Sequence, residues 1–157
     1  MDTTAGLAIR DAQAADAPRL TEIVRGSHAY DGAYRVMVAP LSIDAAYVAA
    51  NPTRVCTDDR GAVVGFASLL LPGRGTAGEA ELDYMFVTDG QQGRGIGRAL
   101  MADAVAVATG LGVARIHIVS HPPSEGFYLS VGARRVGEIP PVGRITWSRP
   151  HLRLDIA

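Results

Sequence analysis

Gln92-Gly93-Arg94-Gly95-Ile96-Gly97-Arg98 is the stretch that decides how this chain is read. Its alternating glycines open a segment in which Ile96, Leu100, Met101, Val105 and Val107 recur with helical spacing. Glycine lets a backbone approach a ligand without Cβ clashes. A helix start turns unpaired N–H groups outward and carries partial positive charge. Together these features make an anion site suited to a pyrophosphate, and Arg94 and Arg98 can add charge-assisted contacts. A glycine-rich connection with no ligand is the plainer reading. It is disfavoured because each glycine in a helix's first turn costs roughly 1 kcal/mol relative to alanine.

Two common phosphate loops do not fit. A dinucleotide fingerprint runs Gly-x-Gly-x-x-Gly directly after a first strand. Here the spacing is Gly-x-Gly-x-Gly, and five residues separate it from Val87, the end of the fourth predicted strand. A P-loop needs a lysine, and all 15 positive residues are arginine. The absence of lysine also removes a pyridoxal Schiff base and a Ser-Lys dyad.

Outward from the loop, hydrophobic periodicity predicts strands over residues 7–11, 53–57, 63–71, 79–87, 114–120, 134–139 and 152–156. Helices are predicted from the Ala15-Asp16-Ala17-Pro18 start to Gly26, and over 42–50, 93–109 and 124–131. Residues 27–40 read as irregular. The order is β-α-α-β-β-β-α-β-α-β-β, an α/β or α+β arrangement with a mixed sheet. At 157 residues the chain is expected to be one domain, 1–157.

Bulk properties narrow the function. A net charge of −1 gives no reason to expect nucleic-acid or acidic-membrane binding. The lone Cys56 excludes an internal disulfide and reads as a small buried hydrophobe in a strand. No apolar run reaches 18 residues and no signal-peptide pattern is seen, so a cytoplasmic location is expected. His117 and His121 are four apart on a strand and loop, without the Glu of a His-Glu-x-x-His helix, so no metal site is expected.

Gln92-x-x-Gly95-x-Gly97 resembles the pyrophosphate loop of the GNAT superfamily of acyl-CoA-dependent N-acetyltransferases. Leu82-Asp83-Tyr84-Met85-Phe86-Val87 resembles that family's fourth strand, and Phe127-Tyr128-x-x-x-Gly132-Ala133 its later helix and turn. The resemblance implies a mixed, mostly antiparallel twisted sheet of about seven strands and four helices, splayed between strands 4 and 5. It implies acetyl-CoA as co-substrate, with the pantetheine arm along Met85, Phe86 and Val87. The pyrophosphate would lie on Gln92, Gly93, Arg94, Gly95, Ile96, Gly97 and Arg98. The N–H of Phe86 or Val87 would polarise the thioester carbonyl. Tyr128 would protonate the departing thiolate, or else be a core aromatic.

His121 stands where the family often has Asn. It could contact the cofactor, act as a base through water, or cap the strand end. The resemblance makes Glu81, eleven residues before Gln92, the first general-base candidate, or else a surface or strand-edge acid; Asp83, which shares its face by strand alternation, is the second. The loop after the first helix (His28, Tyr30, Asp31, Tyr34) and the segment from Pro140 to Trp147 would shape the acceptor site. His117 reads as a satisfied sheet histidine.

The implied activity is acetyl transfer to a primary amine by direct attack in a ternary complex. The alternative is an acyl-CoA-binding sensor or partner module without turnover. The acceptor would be a small-molecule or peptide amine, and a homodimer stays open as an assembly.

Overall fold

Seven strands form one sheet in the order β1-β2-β3-β4-β5-β7-β6. They are β1 (Ala8–Asp11), β2 (Thr53–Thr57), β3 (Val63–Leu70), β4 (Glu79–Val87), β5 (Arg115–Val119), β6 (Arg134–Ile139) and β7 (Arg149–Asp155). The helices are α1 (Ala17–Gly26), α2 (Ala45–Ala50), α3 (Ile96–Gly110) and α4 (Glu125–Ser130), with short 3-10 turns between elements. The computed structural model describes residues 6–156. The first five residues and Ala157, which the expected 1–157 domain includes, lie outside the described residues.

All neighbouring strands pair antiparallel except β4 and β5. β3 is buried along almost its whole length, as a central strand covered on both faces must be. One face packs α3 through Ile96, Leu100 and Met101 against Leu69, Leu82 and Ile118. The other packs α1 through Leu20, Ile23 and Val24 against Val55, Phe66 and Phe86. Cys56 is 1% exposed in the first of these cores, as expected of a small hydrophobe.

Two features of β4 position the site. Ser68 pairs with Tyr84 and Leu69 with Leu82, so Asp83 is an extra residue, a β-bulge. The bulge shifts the alternation. Ala80 and Leu82 face the α3 core, but beyond it Met85 and Val87 do so, while Tyr84 and Phe86 face α1. The second feature is where pairing stops. β4 and β5 are bonded only from Glu79–Arg115 to Leu82–Ile118. Residues 83–87 therefore carry β3 on one side and no strand on the other.

Three boundaries differ from the periodicity reading. α2 begins at Ala45 rather than at residue 42, because Asp44 caps it by accepting from the Tyr47 N–H at 2.8 Å. α3 begins at Ile96, because Gly93 (φ 81°) and Gly95 (φ 78°) are left-handed and cannot be helical. β7 begins at Arg149 and runs through Pro150, which lacks a ladder donor and hid the strand's start. The Pro150 carbonyl still accepts from the Ser120 N–H at 3.0 Å.

Candidate active site

The unpaired end of β4 faces the loop that the glycines build. Left-handed Gly93 and Gly95 curl the chain so that the N–H groups of residues 93–98 have no backbone partner among the described residues. The first bond of α3 is Ala99 N–H to Gly95 O at 3.0 Å. Six free donors at a helix start form an anion cradle. Gly97 serves a different end: a Cβ there would come within 3.1 Å of the Phe127 ring, so glycine lets α3 and α4 approach.

A cavity of about 610 Å³ occupies the gap. Met85, Phe86 and Val87 line one wall, and Gln92, Gly93, Gly95, Ile96, Gly97 and Arg98 line the other, with Tyr128 beside them. The Gln92 side chain ties loop to strand by donating to the Val87 carbonyl at 3.0 Å. Arg98 donates to Ser130 at 3.1 Å. The Arg94 guanidinium instead donates to Gln91 at 2.5 Å and does not line the cavity, which leaves only its backbone N–H at the cradle.

Tyr128, on α4, is 8% exposed and lines this cavity. Burial, then the nearby Tyr30, push its phenol pKa well above the ordinary value, so it holds its proton at neutral pH.

A smaller cavity of about 40 Å³ adjoins the gap, lined by Tyr30, Asp83, Met85, His121 and Tyr128 among others. Asp83 lines this smaller cavity, and the Tyr47 hydroxyl donates to its carboxylate at 2.5 Å. Glu81 lines neither cavity; it lies 3.6 Å from Arg74 and opposite His117 in the register.

His121 is 3% exposed, with both ring nitrogens engaged. Nε2 donates to the Ala29 carbonyl at 3.1 Å, and Nδ1 accepts from the Ser124 hydroxyl at 2.9 Å. Burial lowers its pKa, outweighing the bond to Ala29, so the neutral ring is favoured. It lines the smaller cavity and not the larger, and it ties the loop after α1 to the end of β5.

Tyr30 reaches into the gap, stacked 4.0 Å from His121 and 5.4 Å from Phe86, and burial pushes its pKa up to about 12. Tyr34 lines neither cavity but meets His121 and Trp147 edge-on at 5.5 and 4.9 Å. His28 also stands outside both cavities; its side chain pairs with Asp31 at 2.9 Å and its backbone N–H with Asp89 at 3.1 Å.

Tyr47 and Ser124 escaped the sequence reading. Each acts by holding another side chain, and only the spacing of Ser124 three residues after His121 hinted at its role.

A sheet parted at its parallel pair, with a backbone cradle across the gap, defines an acyltransferase architecture, and comparison with known proteins agrees. Residues 20–133 match the model of the acetyltransferase (GNAT) family. The chain belongs to that family. A phosphinothricin acetyltransferase from Sinorhizobium meliloti, in complex with acetyl-CoA, is 28% identical over 96% of this chain and 88% of its own, with a TM-score of 0.76. The Salmonella typhimurium yncA protein, solved with its cofactor acetyl-CoA, is 22% identical over 96% and 94% of the two chains, with a TM-score of 0.75. A GNAT-family structure from Desulfovibrio desulfuricans has a TM-score of 0.77 at 19% identity, covering 96% and 99%. No curated protein sequence matches the chain.

No helix among the described residues is long and apolar enough to cross a membrane, and no group of His, Cys, Asp or Glu there could hold a metal.

Proposed function

We propose that this chain transfers an acetyl group from acetyl-CoA to a primary amine by direct attack in a ternary complex. The observation that carries the reading is the 610 Å³ cavity, which joins the unpaired end of β4, the free N–H groups of residues 93–98 and the Tyr128 phenol. The Sinorhizobium relative's complex with acetyl-CoA supports the same co-substrate.

Acetyl-CoA supplies the acetyl group already activated as a thioester. The N–H groups of residues 93–98 and Arg98 hold its pyrophosphate. The free edge of residues 83–87 offers amides to the pantetheine arm, and the N–H of Phe86 or Val87 takes the negative charge that develops on the carbonyl oxygen. As nitrogen bonds to the acetyl carbon and the carbon–sulfur bond breaks, Tyr128 gives its proton to the sulfur. The amine's proton goes to a carboxylate. Asp83 fits that task better than Glu81, because it lines the smaller cavity beside the gap and Glu81 pairs with Arg74. Cys56 is buried away from the cavity, so no acyl-enzyme is formed on it.

Isothermal titration with acetyl-CoA, followed by an amine panel read by free-thiol release, tests the proposal. Micromolar binding with acetylation of at least one amine is expected. Tight binding without turnover on any amine would instead make the chain an acyl-CoA-binding module.

A further inference from the structure

Below the gap, the sheet face that carries Asp83 holds a file of side chains that acetyl transfer as described leaves unused. His117 on β5 sets Nε2 2.6 Å from Glu79 Oε1 on β4 and Nδ1 2.9 Å from His151 Nε2 on β7. The two imidazole centroids are 5.1 Å apart. His117 and Glu79 are only 12% and 16% exposed, so the contact is not a loose surface pairing. Register produces it. His117 pairs with Glu81 on one side and Arg153 on the other, and residues two apart on each strand return to the same face. The file has a direction. Glu79 is level with Arg115 at the closed end of the β4–β5 pair, whereas His151 is level with Val119, which lines the smaller cavity together with Asp83.

Two imidazoles can share a hydrogen bond only if one donates and the other accepts. With Glu79 ionised and accepting from His117 Nε2–H, a neutral His117 offers Nδ1 as acceptor and His151 donates Nε2–H. The Nδ1 lone pair of His151 is then free.

The surrounding charges are mixed. Arg74 precedes β4, and Arg149 and Arg153 flank His151 on β7. Burial first, then His117, Arg74 and Arg153, lower the His151 pKa. Glu81 opposes them from β4, paired with Arg74. Arg115 and Arg134 lie 3.6 and 3.5 Å from Asp155, which draws them off.

We propose that His151, His117 and Glu79 form a proton relay that carries the acceptor amine's proton from the gap to solvent. His151 Nδ1 takes the proton from the Asp83 side. The Nε2 proton of His151 passes to His117 Nδ1, the Nε2 proton of His117 passes to Glu79, and the Glu79 carboxyl releases it to water. Glu79 ends as it began, and exchange of the two ring protons with water between turnovers restores the starting tautomers of His151 and His117. The three act at one remove from the reacting atoms, so they position and move the proton without touching substrate. The relay rests on the amine-acetylation reading above.

Two measurements test it. The first is a ¹⁵N-imidazole tautomer assignment of the ligand-free protein. His117 and His151 are both expected to carry their proton on Nε2, and Glu79→Gln to change the His117 ring signals. The opposite tautomer on either ring, or His117 signals unmoved by Glu79→Gln, overturns the relay whatever the activity. The second is the pH–rate profile at saturating acetyl-CoA. In His151→Gln and His117→Gln, turnover should fall about 10-fold or more near pH 7 and recover as the amine deprotonates itself at higher pH. The KM for acetyl-CoA should stay unchanged. A uniform loss at every pH, or a profile that superimposes on wild type, overturns the relay and leaves acetylation standing. Absence of acetyl-CoA binding in the wild type defeats the acetylation reading first and the relay with it.

Discussion

The glycine loop and the acceptor side of the gap are built from opposite materials. The loop uses backbone: six N–H groups aimed by two left-handed glycines, all within seven consecutive residues. The acceptor side uses side chains drawn from far apart in the sequence. Asp83 is held by Tyr47, and His121 is held by Ala29 and Ser124 while Tyr30 stacks on it. A backbone cradle binds the same chemical group wherever it occurs. A side-chain site can be rewritten by single substitutions. On the proposed reading, co-substrate and acceptor are bound by separate parts of the molecule, and each part can be broken alone.

The largest effect is expected at the loop. Gly95→Val forces a β-branched residue into φ 78° and re-aims the cradle. Losing two charge-assisted hydrogen bonds, about 4 kcal/mol together, weakens acetyl-CoA binding about 1,000-fold by titration. Tyr128→Phe, where the two regions meet, should keep co-substrate affinity and lower kcat about 100-fold. Equal kcat in the two proteins would remove Tyr128 from proton transfer.

On the acceptor side, Asp83→Asn should lower kcat/KM for the amine about 10-fold and Glu81→Gln about threefold or less, with acetyl-CoA affinity unmoved in both. The reverse ranking returns the base to Glu81.

The smallest effect concerns stability. His121 and His151 are both held below the ordinary imidazole pKa by burial. Below about pH 6.5 the unfolded chain binds protons that the folded one refuses, so stability is full above that pH and declines as pH falls through it. Melting curves at pH 7.5 and 5.5 should differ by a few degrees, and less in His151→Gln.

The same contrast explains what the sequence could reveal. The glycine loop was legible because its conformation is written in the residues that adopt it. β4 was legible from Glu79 to Val87 for the same reason, since its apolar pattern is local. The bulge at Asp83 was not read from the pattern: alternation correctly placed Glu81 and Asp83 on one face but could not say that Met85 and Phe86 would exchange sides. Nor could it show that Arg74 would hold Glu81, because that partner arrives from a turn. The start of β7 was hidden by Pro150, whose missing donor argues locally against a strand that its neighbours β5 and β6 nevertheless complete. His121 was legible as a departure from the family pattern. Its partners Ala29 and Ser124 come from two different elements and were not.

The parting of β4 from β5 has one more consequence. Residues 83–87 are an edge strand in the middle of a sheet, with one row of amides unspent. Exposed edges recruit other strands and seed aggregation. Here the Tyr30 ring and the α4 residues Phe127 and Tyr128 line the cavity beside that edge. A pantetheine arm laid along residues 83–87 would cover the same amides that another strand would seek. The protein without acetyl-CoA should be the form that aggregates first on warming.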